Sequence, residues 1–93
     1  MKKVIYPIDP FTCLFPTLDL HGLNSFEAEV KIKEFINDNI KLKNESVCII
    51  HGKGSGILRE VMIKLLNRDK RVIEHKLDNT NDGMTIVKLD LKI

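Results

Sequence analysis

Apolar and polar residues alternate at two periods along this 93-residue chain. Over residues 17–21, Leu18 and Leu20 fall on one side and Asp19 and His21 on the other, the period of two expected of a strand. Gly22 ends it. Asn24 followed by Glu27 has the form of a capping box, with Asn in place of the usual Ser or Thr. Ala28, Ile32, Phe35, Ile36 and Ile40 then recur at helical spacing, and Lys31, Lys33, Glu34 and Asp38 take the remaining surface. Residues 47–50 form a compact apolar run that fits a central strand. A glycine-rich loop, His51-Gly52-Lys53-Gly54-Ser55-Gly56, follows directly. The spacing next predicts a helix over 57–68, with Leu58, Val61, Met62, Leu65 and Leu66 on its inner face. Residues 72–77 and 84–93 read as strands joined by a turn rich in Asn, Asp and Gly at 78–83. In the last strand Val87, Leu89, Leu91 and Ile93 alternate with Lys88, Asp90 and Lys92.

The order β-α-β-α-β-β predicts an α/β two-layer sandwich, with a mixed four-stranded sheet and two helices on one face. The alternation in the last strand leaves the other face to water. Residues 1–16 stand apart as an N-terminal extension, because Pro7, Pro10 and Pro16 oppose regular structure. Ile5, Tyr6, Ile8, Phe11, Leu14 and Phe15 make this segment too apolar for a solvated linker, so it is expected to pack on the domain or on a partner. The folded unit is expected over residues 17–93.

Composition narrows the choice of partner. Apolar residues at 43% and charged residues at 30% are ordinary for a globular domain. A net charge of +2 excludes an indiscriminate polyanion binder, so contacts to nucleic acid must be concentrated at a site. Two cysteines, Cys13 and Cys48, make no disulfide framework; Cys48 lies in an apolar run, as a small hydrophobe would, which points to a reduced cytoplasmic setting. Pro7, Asp9 and Pro10 interrupt any signal-peptide core, and no stretch approaches the roughly 20 apolar residues that span a bilayer. A monomer without membrane attachment is expected.

The loop at 51–56 carries the first chemistry. Glycines let the backbone approach an anion closely, the first N–H groups of the following helix point at it, and Lys53 and Arg59 add charge. The plainer alternative is a tight turn that needs glycine. A Walker P-loop is excluded, since Val47 stands where its first glycine belongs and Gly54 follows Lys53. A dinucleotide fingerprint fails at Ile57, where its third glycine would fall. A right-handed crossover makes the first two strands parallel, bringing Asp19 and His21 to the same sheet edge as His51. Two imidazoles and a carboxylate beside a phosphate cradle suit acid–base chemistry near neutral pH. Two alternatives stay open: Asp19 and His21 as caps for the turn at Gly22, or Asp19, His21 and His51 as metal ligands. His75, between Ile73 and Leu77, reads as structural, and Arg59, Lys64, Arg68, Lys70 and Arg71 read first as a solvated basic flank.

At this point the chain resembles the small MutS-related (Smr) domain. The resemblance rests on Leu18-Asp19-Leu20-His21-Gly22, the Glu27-Ala28 pair, and Ile49-Ile50-His51-Gly52-Lys53-Gly54 with Ser55-Gly56 and Leu58-Arg59. Gly83-Met84-Thr85-Ile86-Val87 extends it to the last strand. The resemblance implies a fold like the C-terminal domain of bacterial translation initiation factor three. It also implies a nucleic-acid-binding domain, often an endonuclease, with some members acting on ribosomes and their messenger RNA. On that basis Asp19, His21 and His51 are the expected catalytic residues. Gly52, Lys53, Gly54, Ser55, Gly56, Arg59 and Thr85 are expected to contact nucleic acid or phosphate. Paired histidines favour RNA over DNA, because a 2′-hydroxyl can then attack; a divalent ion, Mg²⁺ or Mn²⁺, is left open as cofactor, and a non-catalytic module binding nucleic acid or a ribosome is the alternative. One departure stands out: where the family has G-G-x-G-x-T, this chain has Thr80-Asn81-Asp82-Gly83-Met84-Thr85.

Overall fold

The computed structural model describes residues 15–79 and 81–92. Its elements are β1 (Thr17–Asp19), α1 (Ser25–Lys41), β2 (Ser46–Ile50), α2 (Ile57–Arg68), β3 (Val72–Leu77) and β4 (Met84–Leu89). The fate of the extension before Phe15, and of Thr80 and Ile93, lies outside the described residues. No helix among the described residues is long and apolar enough to cross a membrane.

The strands form one mixed sheet in the order β1-β2-β4-β3. β1 and β2 are parallel, and β4 runs antiparallel to both β2 and β3. Each helix therefore follows a strand at one sheet edge and returns the chain to the opposite edge. Ala28, Ile32 and Ile36 of α1 share a core with Met62 and Leu66 of α2 and with Val47, Ile49, Val87 and Leu89 of the sheet. Both helices thus cover the same face, as the helical and strand periodicities require.

Two strands are shorter than the alternation predicts. After Asp19, Leu20 N still donates to Ile50 O (2.9 Å), but the Asp19 carboxylate then accepts from His21 N (2.8 Å) and the chain turns. At the other end, Asp90 N donates to Arg71 O (2.7 Å) and Asp90 Oδ1 accepts from Lys92 N (2.9 Å), which bends the chain away after Leu89. In each case an aspartate side chain competes for backbone N–H groups.

The far face of the sheet corrects a second expectation. Cys48 and Met84 are fully buried there, although the helices lie on the other side. Cys48 stands opposite Ile86, and Ile50 opposite Met84, so the two central strands carry an apolar row on both faces. The exposed Lys88 belongs to the end of that row only. Cys48 is also disulfide-bonded rather than a free thiol. A bonded sulfur packs as an apolar atom just as a thiol does, so periodicity could not separate the two, and the inference of a reduced compartment from free cysteines falls away.

Candidate functional site

Parallel pairing sets Asp19 opposite Ile50, so the end of β1 lies against the start of the loop that leaves β2. Asp19 and His21 are both exposed, and Leu20 between them is fully buried. The buried leucine pins the strand end while its neighbours stay in solvent. Asp19 Oδ1 accepts from His21 N, so this carboxylate holds the turn that presents His21. The capping reading of Asp19 and its placement in a site are therefore both compatible with the geometry.

His51 differs from His21. It is only 7% exposed, and both of its ring nitrogens are engaged. A carbonyl can only accept, so Nδ1–H donates to Gly52 O (3.0 Å), and Nε2 accepts from the Thr85 hydroxyl (2.9 Å). Burial holds the His51 pKa below its ordinary value; the Gly52 carbonyl opposes the shift, the Arg59 guanidinium adds to it and the Asp82 carboxylate offsets it. His51 is thus neutral at pH 7. Strand alternation puts it with Ile49, Thr85 and Val87 on the helix side, whereas Asp19 alternates with the core residues Leu18 and Leu20 and lies on the other.

The loop between β2 and α2 hangs from β4. His51 N and Gly52 N both donate to Gly83 O, each at 2.9 Å. A side chain at Gly83 would be tight: a Cβ would lie 3.3 Å from the Gly52 carbonyl carbon and 3.2 Å from Lys53 Cγ, so its neighbours would have to shift by a few tenths of an ångström. Lys53 reaches back to Asp82, with Nζ 3.4 Å from Oδ1, both side chains well exposed. α2 starts from Gly56, whose φ of 87° is left-handed and which offers no side-chain cap. Ser55 Oγ accepts from Ile57 N at a long 3.3 Å. The first turn therefore presents N–H groups and the positive end of the helix dipole to the loop, with Lys53 and the exposed Arg59 beside it.

The structure brings residues 51–56, Arg59 and the Asp19–His21 turn to one sheet edge. It does not draw Asp19, His21 and His51 into a single cluster: among the described residues no three His, Cys, Asp or Glu side chains converge closely enough to hold a metal ion. Thr85 is buried and meets the site through the His51 ring. Sequence reasoning missed the Gly83 carbonyl and the Lys53–Asp82 pair. The antiparallel register that sets Ile50 opposite Met84 would have placed both, but alternation fixes only which face a residue takes and leaves register shifts by two residues open. His75 bonds Asn67 (2.8 Å) across from α2, away from this edge. A groove of about 580 Å³ between α1 and α2 is bordered by the Lys33–Glu29 and Arg71–Asp69 ion pairs, so part of its charge is already compensated.

Known proteins share this sequence pattern and this fold. The profile of the Smr domain matches residues 18–90. Endonuclease MutS2 of Symbiobacterium thermophilum is 38% identical over 77 residues, 80% of this chain and 10% of the relative. Endonuclease MutS2 of Ligilactobacillus salivarius is 40% identical over 68 residues, covering 73% of the chain and 9% of the relative. The chain thus spans about a tenth of the length of these relatives. The crystal structure of the Smr domain of Thermus thermophilus MutS2 superposes with a TM-score of 0.77 at 31% identity, over 80% of this chain and 96% of that one. YdaL, a stand-alone small MutS-related protein of Escherichia coli, shares the fold with a TM-score of 0.75 at 23% identity, over 78% and 63% of the two chains.

Proposed function

The chain belongs to the Smr domain family, and from that premise we propose that it is a nucleic-acid-binding endonuclease module, acting on RNA in preference to DNA. One observation carries the reading. An uncapped helix start with Lys53 and Arg59 shares a sheet edge with an exposed carboxylate and imidazole, Asp19 and His21. The names of the MutS2 relatives support the activity, and the small net charge supports binding concentrated at this edge.

In this proposal the loop N–H groups, Lys53 and Arg59 hold a backbone phosphate and balance the charge that grows on it during attack. His21 takes the proton from a 2′-hydroxyl. The 2′-oxygen then bonds to phosphorus as the bond to the 5′-oxygen breaks, and the leaving oxygen takes a proton from solvent. Asp19 orients the turn that carries His21. His51, with both nitrogens engaged, is a positioning residue that ties the loop to Thr85. A divalent ion, Mg²⁺ or Mn²⁺, would supply further positive charge at the phosphate. Asp19, exposed and with one carboxylate oxygen already accepting from His21 N, fits as a single oxygen ligand, leaving the others to water and phosphate.

The test is cleavage of an RNA oligonucleotide carrying one 2′-deoxy position at the cut site. Cleavage is expected to stop at that position and to persist with chelator. Undiminished cutting there would sink internal attack. A second reading is favoured by the single free imidazole at the edge: a module that binds nucleic acid or a ribosomal surface and cuts nothing. Binding without cleavage at high protein concentration, unchanged in His21→Ala, would select it.

A further inference from the structure

Phe26 is 74% exposed, and no other described large hydrophobic residue is as open to solvent. It sits in the first turn of α1, just past the turn that presents His21. Val30, one turn on, is 38% exposed, and Ile57, the first residue of α2, is 55% exposed. Scattered exposed hydrophobics are ordinary, but these three lie in the opening turns of the two helices. Both helices leave the same sheet edge and run in the same direction. Glu29 and Lys33 border the groove that Leu65 and Arg68 border from the other side. Stepping back toward the edge at 1.5 Å per residue brings Phe26 and Val30 level with Ile57 and Val61. Exposed apolar side chains thus stand at both helix starts, on the sheet edge from which the loop that carries Lys53 also leaves.

A ligand that uses both features of this edge combines a negative charge at the loop with a flat apolar surface. We propose that Phe26, supported by Val30 and Ile57, is the stacking platform for an unpaired base next to the phosphate held at residues 52–56. This rests on the nucleic-acid reading above and adds a substrate class to it: a strand that is single-stranded at the contact. A base offers a π-face of the size of one aromatic ring, and such stacking tolerates any base. A paired base keeps its faces inside the helix and cannot reach Phe26. A protein partner is the poorer match, because a stable interface needs about 800 Å² from each side and this edge has three exposed apolar side chains.

The experiment measures binding of the full chain to a single-stranded RNA dodecamer, to the blunt duplex of the same sequence, and to an abasic strand of the same length. Phe26→Ala is expected to weaken single-strand binding about 5- to 150-fold, the range of one lost stacking contact, and to leave duplex and abasic binding unchanged. Phe26→Tyr keeps the ring and should bind as the parent does. Unchanged single-strand binding in Phe26→Ala, while Lys53→Gln weakens it, overturns the platform and leaves the phosphate reading standing. Equal weakening on strand and duplex overturns it too. Loss of co-sedimentation with ribosomes, with nucleic-acid binding intact, would assign these side chains to a protein surface instead. If the parent chain binds no nucleic acid, both readings fall together.

Discussion

The two helices begin at the same sheet edge, after parallel strands, yet their first turns are built in opposite ways. α1 is closed by its own side chains: Asn24 Oδ1 accepts from Glu27 N (2.8 Å) and Glu27 Oε1 accepts from Asn24 N (3.0 Å). Its dipole is met by a carboxylate from within the chain. α2 starts at a glycine with no side chain to offer; its first turn carries Glu60 as well as Arg59, and Lys53 lies in the loop before it. The backbone physics is identical at both ends. What differs is whether a side chain bonds back to close the helix start, as at α1, or the N-cap position makes no such bond, as at α2. An internal cap contributes stability; an open start trades that stability for a binding site.

Substitutions at the two starts should therefore separate into different measurements. The largest effect is expected at the strand end between them. His21→Ala should lower single-turnover cleavage by about 10²- to 10⁴-fold, the range for a proton-transfer group, while binding stays close to that of the parent. The double variant Lys53→Gln with Arg59→Gln should weaken binding and flatten the salt dependence. The slope of log K against log salt should fall by about 1.4 for single strands, from two charges at about 0.7 each. Equal slopes in parent and variant would mean that phosphate does not sit at α2. At α1 the reverse pattern is expected: Asn24→Ala should cost about 1 kcal/mol of unfolding free energy, read by denaturant titration, with nucleic-acid affinity unchanged.

Two smaller effects sharpen the contrast. His51 has a folded-state pKa below that of the unfolded chain, so the unfolded state takes up protons first as pH falls. Its contribution is complete above about pH 6.5 and is lost as pH drops through the lower folded value. His51→Gln should show a flatter stability curve between pH 7.5 and 5 than the parent. Finally, Asp82→Asn removes an internal carboxylate that competes for Lys53. Exposed pairs of this kind are worth about 0.2–1 kcal/mol, so affinity should rise by no more than about fivefold, and mostly at low salt.

Much of this was legible in the residues, but not all of it for the same reason. Ser25–Lys41 and Ile57–Arg68 form where the helical apolar stripe places them, and Val72–Leu77 where a strand is expected, even though Ile73 is exposed and the register shifts between Val72 and Glu74. Asp19 and Asp90 shortened their strands because their side chains capture nearby N–H groups, which alternation does not record. The loop at 51–56 stood out through its glycines. The different standing of the two histidines did not: His21 and His51 are each followed by glycine, and only the register of β4 against β2 shows that Thr85 lies over one of them. Phe26 carries no signal of its own in the sequence, since its meaning depends on which helix start lies beside it.

The carbonyl of Gly83 holds two successive amides of a loop thirty residues earlier. During synthesis the loop, its lysine and the start of α2 all emerge before the strand from which they hang. Until residues 83–85 have left the ribosome, His51 has no hydroxyl to accept from and the loop has no anchor. The last strand to be made therefore acts as an assembly lock: the nascent chain carries every proposed catalytic side chain well before it can set the phosphate-binding loop in place.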